Sequence, residues 1–277
     1  MKKHLLTLGL LLAASSMSAQ RLIVRMDDIG ATHSENLAVI HCYQNGIGRS
    51  AEVMPVCPWF LEASRMLNDN PGLDVGVHIA FQSEWAGYKW KPLTNCPSLC
   101  DEDGYLCERL MFPNPAEVEA EMRAQIKLAL KYCKNVTHIT DHCMWTFQPD
   151  LHDMAVRVAA EFGLRYQGQT VDDEAIGIYA LPVPFGGAPR AGRMLDAIKK
   201  MEKGKTYWTI EHPAFDNEEM KGITQIGRDG KIGPSQGPDR QDVTDTFTNP
   251  EIMKYIKENG IELVSFGDVM REKGVIK

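Results

Sequence analysis

This 277-residue chain has no run of lysine and arginine able to track a phosphate backbone, and its 30 Lys and Arg are outnumbered by 37 Asp and Glu. Nucleic acid is excluded as the natural partner class. Internal repeats, low-complexity tracts and a Pro/Gly/Ser linker are also missing, and 44% hydrophobic with 24% charged residues is an ordinary content. Solenoids, disordered chains and coiled coils are thereby ruled out, and one globular domain is the simplest organisation. No CxxC spacing occurs, and no histidine neighbours Cys96, Cys100 and Cys107, so a zinc knuckle lacks support.

No apolar run is long enough to span a bilayer as a helix. The run at residues 5–14 follows Lys2 and Lys3 and gives way to small residues up to Ala19, the layout of a secretory signal peptide cut most simply after Ala19. The alternative, a buried N-terminal helix, must explain why no carboxylate precedes Asp27. Cleavage removes two lysines and no acid, leaving residues 20–277 as a single domain with a formal charge of −9. No cysteine lies near the cut to carry a lipid anchor. The expected location is periplasmic or secreted. All seven cysteines (Cys42, Cys57, Cys96, Cys100, Cys107, Cys133, Cys143) would enter an oxidising compartment, where a disulfide within the 96–107 loop is one option. Pairing and oligomeric state stay open, a homodimer being one possibility.

Short β-rich runs at 22–26, 48–54, 73–80, 136–140, 164–167, 176–181, 206–210 and 261–266 alternate with helical periodicity at 33–45, 59–68, 115–133, 150–162, 190–202 and 250–259. That alternation is the pattern of a parallel sheet with crossover helices. Asn114-Pro115 and Asn249-Pro250 read as helix starts, and Asn259-Gly260 as a helix end. The number of units predicts an α/β fold of the (β/α) barrel type, complete or with units missing. An open doubly wound sheet is the alternative, although no glycine-rich phosphate loop follows the first strand. Residues 81–114 and 211–248 carry little periodicity and read as long functional loops.

The unusual polar residues stand at strand ends. The first strand runs into Asp27-Asp28, the third ends at His78, the fourth at His138 through His142, and the seventh at Glu211-His212. Strand C-termini of a parallel barrel open on one face, so these groups are expected to converge. Paired carboxylates raise one another's pKa unless a cation intervenes, which points to a divalent metal. Alternation along an extended strand predicts that only one of the two points toward it, one ligating and the other acting on water. The competing reading makes Asp27-Asp28 an Asx-turn cap for the helix near His33. His78 and one of His138 and His142, with His142 nearer the mouth, would complete an open catalytic site of one carboxylate and two imidazoles. His212 could protonate a leaving amine, the alternative being a His-Pro turn.

Met26-Asp27-Asp28-Ile29-Gly30, Gly76-Val77-His78-Ile79, Thr137-His138-Ile139-Thr140-Asp141-His142, Glu211-His212-Pro213 and the tail from Arg240 through Asn249-Pro250 to Phe266 occur in that order. The chain in this respect resembles the YdjC-like carbohydrate deacetylases, the group of chito-oligosaccharide deacetylases, over most of residues 21–270. The resemblance implies a (β/α) barrel related to polysaccharide deacetylases and removal of acetyl groups from N-acetylated sugars. It implies Asp28, His78 and His142 as ligands of one divalent ion; one oxygen and two imidazoles suit zinc, cobalt or nickel, and the resemblance also allows magnesium. It implies Asp27 as general base and His212 as general acid. For such a carbohydrate substrate, Trp85, Tyr88 and Trp90 in the loop after His78 could stack on sugar rings or pack the loop, and Arg240 could hold a carboxylate in the site. Thr140 stands where the family pattern has Asp, and Ala214 replaces its usual Gly, which leaves a ligand-orienting carboxylate unaccounted for. A metal hydrolase of another amide or ester, or a non-catalytic glycan-binding barrel, are the alternatives.

Overall fold

The structure, a computed structural model, describes residues 19–168, 170–187, 189–227 and 230–277. The signal-peptide reading therefore lies outside the described residues but for its last position. The chain runs β1 (Arg21–Ile29), α1 (His33–Asn45), β2 (Ser50–Val53), α2 (Phe60–Asp69), β3 (Asp74–Ile79), β4 (Trp85–Ala86), α3 (Pro115–Tyr132), β5 (Val136–Asp141), α4 (Pro149–Glu161), β6 (Arg165–Tyr166), α5 (Thr170–Glu174) and β7 (Ile178–Ala180). It continues with α6 (Arg190–Ile198), β8 (Thr206–Glu211), α7 (Glu218–Lys221), β9 (Thr224–Ile226), β10 (Ile232–Ser235), α8 (Gly237–Phe247), α9 (Pro250–Glu258), β11 (Glu262–Leu263) and α10 (Phe266–Glu272).

Seven parallel strands in the order β6-β5-β3-β2-β1-β8-β7 curl into a half-barrel, with β11 paired to the start of β1. Among the described residues β6 and β7 do not pair, so the expected barrel is present in its incomplete form. β1 shows the period-2 logic of a strand covered on both faces. Leu22, Val24 and Met26 pack into the layer between sheet and helices, with Val39, Phe60, Ile198 and Phe247. Ile23 faces the other way into an apolar floor with Ile178, Trp208, Phe266 and Met270. Arg25 and Asp27 follow on that inner face, each 2% exposed.

The Asn-Pro starts are as expected: Asn114 accepts from Ala116 N, and Asn249 from Glu251 N and Ile252 N. Three expectations need correction. The long connections contain a three-stranded antiparallel sheet β10-β9-β4 that ties one to the other, together with the eleven-residue α8. α8 (GPDRQDVTDTF) escapes an amphipathicity reading because it buries polar Arg240 and Thr244 beside Val243 and Phe247. The last strand is only Glu262–Leu263, because Ser265 and Asp268 form a capping box that starts α10. Finally, all seven cysteines are free thiols, and the 96–107 loop is held by backbone pairs such as Cys107 N to Leu99 O and by the Cys100 thiol donating to Cys96 O.

Candidate metal and catalytic site

The cap of α1 is Thr32, whose hydroxyl accepts from Glu35 N, so Asp27 and Asp28 are free of the capping role. Both lie inside β1, where the register to β2 shifts between Met26 and Ile29 and Asp28 sits at φ +70°. A left-handed residue at a bulge re-aims its side chain. The expectation that alternation sends the two carboxylates to opposite sides fails for this reason. His78 Nε2 lies 3.4 Å from Asp27 Oδ2 and 3.5 Å from Asp28 Oδ1.

Asp28 Oδ1, His78 Nε2 and His142 Nδ1 form a buried triangle with edges of 3.5, 3.3 and 3.3 Å. Each imidazole uses its other nitrogen elsewhere: His78 Nδ1 is 2.8 Å from Thr140 Oγ1, and His142 Nε2 is 2.9 Å from Glu84 Oε2. With both rings neutral, two lone pairs and a carboxylate oxygen face one another, and Asp28 Oδ1 has no hydrogen-bond partner among the described residues. Three converging acceptors repel unless a cation lies between them. Ligands at about 2.1 Å around a tetrahedral ion stand roughly 3.4 Å apart, so the donor set fits a divalent metal. Burial would raise Asp28, but Arg240, His212 and His142 outweigh it and hold the carboxyl well below its usual range. Burial likewise opposes charge on His142, yet Cys143, Glu84 and Asp28 raise its proton affinity, and a metal would displace that proton.

Around the triangle stand the other groups. Arg25 clamps Asp27 with two bonds of 2.6 and 2.7 Å, yet burial wins and leaves the Asp27 carboxyl above its ordinary pKa. His212 is half-buried, and burial, with Arg240, lowers its pKa against the pull of Asp28 and Asp27. Its neighbour Glu211 turns to Arg190 instead, at 3.7 Å. Arg240 does hold carboxylates, but those of the protein: Asp28 Oδ2 at 2.8 Å, and Glu35. Its guanidinium lies 5.2 Å from the Trp85 ring centre. Trp85 and Trp90 are 1% and 2% exposed, so the loop-packing reading applies to them and their faces are closed to a sugar. Trp90 instead packs edge-on to His142 at 5.9 Å.

Sequence reasoning missed Arg25, Glu35, Glu52 and Glu84. Arg25 and Glu52 had a signal, a charge in the middle of an apolar strand. Glu35 and Glu84 had none, because their roles depend on a helix and a loop folding over the mouth. His138, set aside in favour of His142, lies deeper, with Nε2 3.0 Å from Glu52 Oε1.

A family model described as YdjC-like protein matches residues 21–258. A protein of Thermoanaerobacter pseudethanolicus named carbohydrate deacetylase is 26% identical over 261 residues, 88% of this chain and 97% of its own. One of the same name from Thermus thermophilus is 36% identical over 147 residues, about half of each chain. A solved structure from Enterococcus faecalis, described as a candidate cellobiose-phosphate cleavage protein, shares the fold with a TM-score of 0.74 at 24% identity. That likeness covers 91% of this chain and 99% of the other.

Proposed function

The chain belongs to the YdjC-like protein family, and on that premise we propose that it is a metal-dependent hydrolase removing acetyl groups from N-acetylated sugars. The observation that carries the reading is the triangle of facing acceptors at Asp28, His78 and His142. A divalent ion held there would supply polarisation of the acyl oxygen and acidification of water. Two imidazoles and near-tetrahedral separations favour zinc, cobalt or nickel over magnesium, which demands octahedral oxygen ligands.

In this reading Asp27, poised beside the triangle with a raised proton affinity, takes the proton from the attacking water. Arg25 keeps its carboxylate from rotating away. His212, entering the reaction with a proton taken from solvent, gives that proton to the departing amine as the C–N bond breaks, and the proton held by Asp27 then passes to solvent. Arg240 fixes Asp28 Oδ2, so that only Oδ1 is presented inward. The substrate proposal draws on the names of the relatives. With Trp85 and Trp90 buried, the most exposed rings are Phe112, Phe147 and Phe185, at 90%, 72% and 103% exposure. All three sit in connections that lead from a strand end to the next helix, the mouth side of the half-barrel. The proposal includes export, on the residue pattern before Gln20.

The test is acetate release from a panel of N-acetylated oligosaccharides, with chelator and with divalent metals added back. We expect chelator-sensitive release. Asp27→Asn should retain metal and lose about 10²–10⁴-fold in rate, whereas His78→Ala should lose metal. Full activity in Asp27→Asn would remove the base assignment. Silence on every sugar from protein that binds metal would redirect the reading to another amide or ester.

A further inference from the structure

Beneath His78 runs a chain of hydrogen bonds that the proposed reaction does not use. His78 Nδ1 is 2.8 Å from Thr140 Oγ1, and that hydroxyl is 3.2 Å from Glu52 Oε2. The strand register explains the alignment. Thr140 lies opposite His78 across the β3–β5 pair, and Glu52 lies opposite Gly76, two residues before His78 and on the same face. Gly76 is what makes room, since a Cβ there would stand 1.7 Å from Glu52 Oε2 and 2.6 Å from His138 Nε2. Glu52, Thr140 and His78 are at most 1% exposed, so bulk water does not compete for these bonds.

The proton order follows from valence. A carboxylate only accepts, and a hydroxyl has one proton to give. Burial opposes charge on Glu52, but His138 and Arg25 outweigh it and keep the carboxyl ionised. Thr140 therefore donates to Glu52, and its oxygen accepts the Nδ1 proton of His78. That leaves the His78 lone pair on Nε2, the atom facing Asp28 and His142. In the family pattern a carboxylate occupies position 140; here a hydroxyl stands there.

We propose that Glu52 is the carboxylate that orients His78, a positioning residue acting from the neighbouring strand through the Thr140 hydroxyl. The inference rests on the reading of Asp28, His78 and His142 as a metal site. Partners of this kind fix the tautomer of a ligating imidazole, and their loss costs about 10–100-fold in metal affinity.

The test compares Thr140→Val, which keeps shape without the hydroxyl, with Thr140→Ser, Glu52→Gln and the double variant Glu52→Gln/Thr140→Asp. Nitrogen-15 NMR of the metal-free protein at pH 8 reads the His78 tautomer, and competition with a chromophoric chelator reads zinc affinity. Wild type should show the proton on Nδ1. Thr140→Val should lose that tautomer and bind zinc about 10–100-fold more weakly, with Glu52→Gln weakened in the same direction. Thr140→Ser should stay within a few-fold of wild type, and the double variant should recover most of the affinity because its new carboxylate meets His78 directly. A wild-type His78 protonated on Nε2, or unchanged zinc affinity in Thr140→Val, would overturn the proposal. Should Thr140→Val fail to fold, the wild-type tautomer and Glu52→Gln still decide it. Absence of zinc binding by wild type would sink the metal reading, while the tautomer would still decide the relay by itself.

Discussion

Asp173 is fully buried, and neither of its oxygens has a hydrogen-bond partner among the described residues. Burial pushes its carboxyl up to about 7, against the pull of Arg25, His138 and Arg165. A raised acid binds its proton more tightly folded than unfolded. Its stabilising effect is therefore complete below about pH 4 and is lost as pH rises through 7. Asp173→Asn should leave the melting temperature unchanged at pH 4. At pH 8 it should stabilise by about 1–3 kcal/mol, a rise of several degrees by calorimetry. At this scale the sequence was informative where charge interrupts apolar strands: Asp27, Asp28, His78, His142 and His212 are brought together as their strand-end positions implied. Glu52 also breaks an apolar strand, but what it does depends on its register opposite Gly76, and what Glu84, Trp85 and Trp90 do depends on a folded loop, neither of which a strand pattern carries.

Elements differ in how much room they leave. In β3, Gly76→Ala would drive a methyl into Glu52 and His138, and it should destabilise by about 1–3 kcal/mol in denaturant melts. In α6, Gly192 meets nothing within 4 Å, and Gly192→Ala should gain about 0.5–1 kcal/mol. The mouth-side connections supply a functional counterpart: Phe147→Ala should raise KM for a long glycan several-fold and leave a single N-acetylated sugar unaffected, each ring being worth about 1 kcal/mol. An equal effect on both substrates would assign Phe147 to structure. Strand and helix alternation was legible because period 2 and period 3.6 are imprinted by burial. The three-stranded sheet of β4, β9 and β10 was not, since its strands are only two to four residues long and none is wholly buried.

Across the whole molecule, the half-barrel closes neither at its sides nor, by itself, at its base. The parallel architecture and the option of missing units were readable from the order and number of elements, but not which edge strands stay unpaired among the described residues, since no local pattern encodes that β6 and β7 fail to meet. The base is sealed by α10: Phe266 packs against His138 at 5.2 Å, and Gly267 N donates to Asp74. A chain ending at residue 261 should consequently lose cooperative unfolding and zinc binding together, a result that circular dichroism and chelator competition would read. β1, the strand that carries both aspartates, pairs at Arg21 with Glu262. That contact spans about 240 residues of chain, so the closure entropy of a long loop must be met before this strand gains its partner.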